Sequence, residues 1–269
     1  FGTSVSLSAD GTVVAISAPV KRETNDGNAA GRVRTYKWDG SSAWDQLGGD
    51  IDGEAAGDES GDSLALSSDG NRVAIGAPRN DGVGDQAGHV RVFDWIDGAW
   101  GQVGDDIEGE AAQDRLGSAI ALSADGSVVA AGAVYNDDAG TSAGHVRVYQ
   151  WSGTTWAQIG ADIDGEGASN LSGASVALSS DGSRVAIGAH YNSDAGNYAG
   201  HVRVYDWNGG AWAQVGEDID GEAPEDWSGV SVALSSDGSR VAIGAQRNDG
   251  AGDKAGHVRV FDLIDGSWQ

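Results

Sequence analysis

The feature that most constrains this chain is a repeat. Gly88-His89-Val90-Arg91-Val92 returns at Gly144, Gly200 and Gly256, so His89, His145, His201 and His257 follow one another every 56 residues. Asp69-Gly70, Asp125-Gly126, Asp181-Gly182 and Asp237-Gly238 keep the same step, as do Trp44, Trp100, Trp156, Trp212 and Trp268. Gly31-Arg32-Val33-Arg34 is a diverged first copy, and the loop holding Lys21-Arg22-Glu23-Thr24 lengthens its module. A fixed period of this size marks one supersecondary unit that buries its apolar face only by stacking on its neighbours. The chain therefore reads as a single repeat domain over 1–269 with modules at about 1–59, 60–115, 116–171, 172–227 and 228–269.

Within a module the local period is two. Ser231-Val232-Ala233-Leu234-Ser235 alternates apolar and small polar residues before an Asp237-Gly238 turn. Arg240 to Ala245 is a second strand, His257 to Asp262 a third, and Trp212 to Gly216 shows the fourth in its complete form. This is the pattern of strands and hairpins, and no segment has helical spacing. The expected fold is an all-β propeller of five tandem four-stranded antiparallel blades. The last blade is expected to be incomplete at Trp268-Gln269, leaving an edge open to strand addition or self-association. The spacing is equally compatible with a closed ring of five, a share of a larger ring or assembly, and an open array.

Glycine is abundant at 44 residues while proline is only 3, which suits tight turns between ordered strands. The net charge of −25 disfavours nucleic acid and anionic membranes as partners. Without cysteine there is no disulfide or thiolate site. No apolar run is long enough to span a bilayer as a helix. The start at Phe1-Gly2, with neither Met nor a signal sequence, suggests a processed product or a piece of a longer polypeptide.

Phe1-Gly2-Thr3-Ser4-Val5, Asp10-Gly11, Val14 to Pro19 and Gly31 to Tyr36 resemble, in order and spacing, the FG-GAP repeat of integrin α-subunit propellers. Gly76-Ala77-Pro78 matches the GAP element, and Gly61, Gly117, Gly173 and Gly229 match Gly2. The resemblance spans the chain and implies a propeller. The family's calcium sites are not carried over, because Ser8-Ala9-Asp10-Gly11-Thr12 and its equivalents offer one carboxylate where Ca²⁺ takes about six to eight oxygens.

Polar residues gather instead in two other loop sets, expected on one face. One holds Asp26, Asn80, Asp81, Asn136, Asp137, Asn192, Asp194, Asn248 and Asp249; the other holds Asp52, Glu54, Glu110, Asp164, Glu166, Asp220 and Glu222. Their oxygens would suit a hard cation such as Ca²⁺. The alternative is that Asn and Asp serve as turn residues that bond their own backbone. The four histidines, in different blades, are too far apart to share one ion and read as structural. The paired tryptophans read as cross-strand packing. Trp227 stands outside the repeat and is the better candidate for an exposed ligand contact, and Asn170-Leu171-Ser172 is a glycosylation sequon.

No nucleophile elbow, phosphate loop or paired metal-binding histidine motif is present. The resulting expectation is a non-enzymatic, extracellular or cell-surface propeller for adhesion or for assembly of a matrix or filament, with other proteins or its own copies as partners. A lectin-like, multivalent glycan- or cation-binding module is the alternative. A secreted hydrolase is the third class.

Overall fold

The computed structural model describes residues 1–19 and 30–269; Asp26 and the Lys21–Thr24 insertion lie outside the described residues. No helix occurs among the described residues, which form five antiparallel sheets. The chain separates into two compact units, residues 1–129 with 150–157 and residues 130–149 with 158–269.

The fourth module shows how sequence becomes sheet. Ser175–Leu178, Arg184–Ala189, His201–Trp207 and Trp212–Gln214 pair in sequence order as a meander. The first hairpin closes because Asp181 accepts hydrogen bonds from the Ser179 hydroxyl (2.7 Å) and the Ser183 amide (3.0 Å). Gly182 takes the left-handed conformation at φ 70°, which a side chain would resist. The second hairpin is closed by a tryptophan pair, Trp207 opposite Trp212, with ring centroids 5.4 Å apart. The same pair recurs as Trp38–Trp44 and Trp95–Trp100.

The sheets differ from the expected four strands in one respect. After Trp212–Gln214 the chain leaves the third strand and returns to it as Ile219–Asp220, pairing with His201 and Val202. The outer edge is thus made of two short pieces, and the first four sheets have five strands each. Segments such as Asp220-Gly221-Glu222, expected to be loop, therefore begin in a strand that lays an acidic residue beside His89, His145 and His201. The last sheet has four strands, ending with Ser267–Trp268.

Successive modules lean on one another within each unit. Val202, Val204 and Ile219 of the fourth module form one buried cluster with Val241 and Ile243 of the fifth. Val13, Val33, Leu64, Val73 and Ile75 do the same for the first and second. The interface admits no Cβ at its closest point, since a methyl at Gly188 would lie 2.1 Å from the Gly229 carbonyl oxygen. Ser175 spans the same gap by donating its hydroxyl to that carbonyl at 2.7 Å. The tryptophans add a second tie: Trp212 Nε1 donates to Ile159 O at 2.9 Å and Trp268 Nε1 to Val215 O at 2.9 Å. Val258 and Val260 of the last sheet are 67% and 56% exposed, whereas Val202 and Val204 one module earlier are buried. An apolar blade face is covered only where another blade follows, as expected of a propeller.

Candidate functional site

In the second, third and fourth modules the third strand opens with a histidine whose backbone is paired to the short fifth piece: His89 lies opposite Glu108, His145 opposite Asp164 and His201 opposite Asp220. At His89 and His201 this register brings a carboxylate from the preceding module and one from the histidine's own module to the same imidazole. His201 Nδ1 lies 3.6 Å from Glu166 and 3.5 Å from Asp218. His89 Nδ1 lies 3.9 Å from Glu54 and 3.6 Å from Asp106. Around His89 and His201, ligand-type atoms lie within 4.8 Å of one another in the sets Glu54, His89 and Asp106; Glu166, Asp194 and His201; and His201, Asp218 and Asp220.

Each site has a buried floor and an open rim. His89 and His201 are 1% exposed, while Glu54 and Glu166 retain 47% and 36% of their side-chain surface. Burial pushes both imidazoles down to about 4, so they are neutral near pH 7. The carboxylates respond in the opposite direction. Burial, then the neighbouring Asp218 and Asp194, raise Asp220. Glu166 is raised by burial, against Arg203 and with Asp218, Asp194 and Asp220 adding to the rise. One oxygen of Asp218 is fixed by the Gln214 side-chain amide at 2.7 Å, which leaves the other facing His201. Gln102 holds Asp106 in the same way.

The first module supplies an internal comparison. Arg32 occupies the histidine position, paired in register with Asp52. Its guanidinium reaches Asp50 at 2.6 Å and Asp52 at 2.7 Å. Where the repeat lacks histidine, a fixed cation fills the space between the equivalent carboxylates.

The remaining sequence-selected residues divide by position. Asn80, Asn136, Asn192 and Asn248 are buried, and their side-chain oxygens accept from the amides of Gly82, Asp138, Asp194 and Gly250. Asp81, Asp137 and Asp249 cap their own loops by accepting from the amides of Gln86, Ser142 and Lys254. Asp52 and Asp164 offer backbone carbonyls to Arg91 at 2.8 Å and Arg203 at 2.6 Å, and the Asp220 carbonyl accepts from Arg259. Asp164 also lies 4.0 Å from His145, and Glu222 lies 3.6 Å from His257. Glu110 is exposed. Asn170 is 8% exposed and stands where the repeat places Asp58, Asp114 and Asp226, which cap the same turn. Trp227 is half-buried, with the Arg247 guanidinium 3.4 Å from its ring centroid and Tyr191 packed edge-on at 5.1 Å. Tyr198, from the same loop as Tyr191 and Asp194, is 41% exposed.

Sequence reasoning missed the histidines as site residues. It compared them with one another, whereas His89 and His201 each meet acids from their own module and the one before. The findable signal was the invariant 17-residue step from His89 to Asp106 and from His201 to Asp218, joined to the glutamate of the preceding Asp/Glu-Gly-Glu segment.

No family model matches the chain, and no curated protein matches it. Solved structures do. A periplasmic gluconolactonase from Pseudomonas aeruginosa aligns with 99% of this chain and 70% of its own, at 18% identity and a TM-score of 0.64. A candidate 6-phosphogluconolactonase from Bacteroides uniformis aligns with 99% of this chain and 83% of its own, at 12% identity and a TM-score of 0.58. At such identities the likeness establishes the fold, a β-propeller.

These neighbours correct three expectations. Both are named as lactonases, which overturns the non-enzymatic reading and with it the adhesion, structural-protein and filament roles. The FG-GAP resemblance is corrected as well, since the neighbours are lactonase-like propellers and not integrins. Its glycines have a packing explanation: Gly188 and Gly229 abut where one blade meets the next. Propellers of unrelated function can share that need. The non-enzymatic expectation rested on the absence of linear catalytic motifs, whereas here titratable groups distant in sequence are clustered by the repeat itself. No helix is long and apolar enough to cross a membrane among the described residues.

Proposed function

We propose that this chain is a hydrolase of small sugar-acid lactones. The observation that carries the reading is the alignment of 99% of the chain with two propellers named as gluconolactonase and candidate 6-phosphogluconolactonase. The site that supports it best is the pair of groups that share His201, one with Glu166 and Asp194 and the other with Asp218 and Asp220. Opening a lactone requires a water oxygen to bond to the carbonyl carbon while the ring C–O bond breaks and a proton reaches the departing ring oxygen. Glu166 and Asp220, held more basic than ordinary carboxylates by burial and crowding, are placed to take the proton from water and return it to that oxygen. A positioned acid–base group of this kind contributes about 10²–10⁴-fold. Asp218, oriented by Gln214, and His201 form the floor that fixes their geometry. Tyr191 and Tyr198 supply rings on which an apolar sugar face can stack.

The periplasmic neighbour supports an exported protein as well. Lactone opening releases acid, so a pH-indicator assay over five- and six-membered sugar lactones, with and without a 6-phosphate, tests the reading. Enzymatic opening of at least one class, reduced more than tenfold in Glu166→Gln, is expected. Rates equal to spontaneous hydrolysis across the panel would refute it.

A further inference from the structure

We propose that the histidine–carboxylate clusters are divalent-cation sites of the zinc class, one at Glu54, His89 and Asp106 and another at His201 with Glu166, Asp194, Asp218 and Asp220. The inference goes beyond the hydrolase reading and does not depend on it; the second cluster shares Glu166 and Asp220 with that reading, and with an ion bound these carboxylates would serve as its ligands in place of the free acid–base roles given above.

Acidic clusters alone would not justify this. The additional observation is the imidazole. His89 and His201 are 1% exposed, and Nδ1 of each, aimed at the carboxylates, makes no hydrogen bond among the described residues. A buried polar atom left in that state loses its hydration without compensation, so it calls for a partner. The spacing says which kind. A direct imidazole–carboxylate hydrogen bond would bring the atoms to about 2.8 Å. They stand instead at 3.5–3.9 Å. An ion with bonds of about 2.0–2.2 Å to nitrogen and oxygen sets adjacent tetrahedral ligands about 3.4 Å apart.

Charge points the same way. Glu166, Asp194, Asp218 and Asp220 crowd His201, and against these four carboxylates stand two nearby guanidinium groups, Arg203, 3.6 Å from Glu166, and Arg259, which donates to the Asp220 carbonyl. In the first module Arg32 reaches both Asp50 and Asp52, so that cluster carries its own positive charge. The modules with histidine carry an imidazole nitrogen where the first module has that guanidinium. An imidazole nitrogen beside carboxylate oxygens selects zinc or a neighbouring first-row metal over Ca²⁺, which takes oxygen ligands. The glutamine that holds Asp218, and its counterpart at Asp106, supply the outer-shell support that metal ligands require.

The test is calorimetric titration of the full chain with Zn²⁺, then with Ca²⁺, backed by the visible absorption of bound Co²⁺. At least two Zn²⁺ ions should bind, each at least a hundredfold more tightly than Ca²⁺. His201→Ala and His89→Ala should each remove one ion and leave the other in place. Because a buried histidine can also matter for folding, Asp194→Asn, at an exposed carboxylate, serves as a second variant. It should weaken the ion at His201 at least tenfold with an unchanged circular dichroism spectrum. Absence of Zn²⁺ binding, or binding identical in wild type and all three variants, would overturn the proposal. The readout is metal stoichiometry, so failure of lactone hydrolysis and failure of metal binding are separate results.

Discussion

Replacing Gly188 with alanine probes the joint between blades at its tightest point. The new Cβ would stand 2.1 Å from the Gly229 carbonyl oxygen and 2.3 Å from Ser175 Oγ. Ser175 can rotate away, at the expense of its 2.7 Å hydrogen bond to that carbonyl, a loss of about 1 kcal/mol. The backbone of Gly229 cannot rotate away. Reaching ordinary contact requires the fourth and fifth modules to part by more than about 1 Å, and overpacking of that kind costs about 1–3 kcal/mol. The cluster of Val202, Val204, Val241 and Ile243 would loosen with it. The expected destabilisation is therefore about 2–4 kcal/mol, summing those two contributions. Gly98→Ala is the control: its φ is 88°, so it carries backbone strain of about 1–2 kcal/mol, but nothing lies within 4 Å of the added carbon. Urea unfolding followed by tryptophan emission measures both. A Gly188→Ala protein less than about 0.5 kcal/mol below wild type would refute the packing argument, because an ordinary surface change falls in that range.

Other consequences follow from the same contacts. Trp212→Phe removes the indole bond to Ile159 O and should cost about 1 kcal/mol in urea unfolding beyond any packing change. Arg184 holds Asp206 and also donates to the Gly238 carbonyl of the next module, whereas Arg240 holds Asp262 and is 60% exposed. Arg184→Met should therefore lower the melting temperature more than Arg240→Met, whose exposed pair is screened by solvent. Asp39 accepts from the amides of Ser42, Ser41 and Ala43, which hold it down to about 2. The folded form is thus favoured above the unfolded aspartate range, and that advantage is lost as pH falls towards 2; an NMR titration of the Asp39 carboxyl with a midpoint near 4 would contradict it.

The sequence made the architecture legible because a 56-residue period and a two-residue alternation leave few alternatives to stacked antiparallel sheets. Strands, Asp-Gly turns and tryptophan pairs could all be read from neighbours along the chain. What could not be read was register across the break in the fourth strand. Gly216 reads as an ordinary turn residue, yet only the fold shows that Ile219–Asp220 returns to pair with His201–Val202. That return sets Asp218 beside His201, and the preceding module delivers Glu166 to the same point. Likewise, the conserved-looking Gly-Ala element of each second strand reads as family likeness until Gly229 is seen pressed against Gly188. Function was the least legible part, because repeated charges look like solvated turns until their convergence is visible.

The most direct test of the functional account is a crystal structure of the full chain soaked with a slowly hydrolysed sugar lactam that mimics the lactone ring. Density for the ring between Glu166, Asp194 and Asp220, with its carbonyl towards the His201 floor, is the predicted result. A well-occupied ring bound elsewhere on the chain, with these carboxylates untouched, would contradict the account.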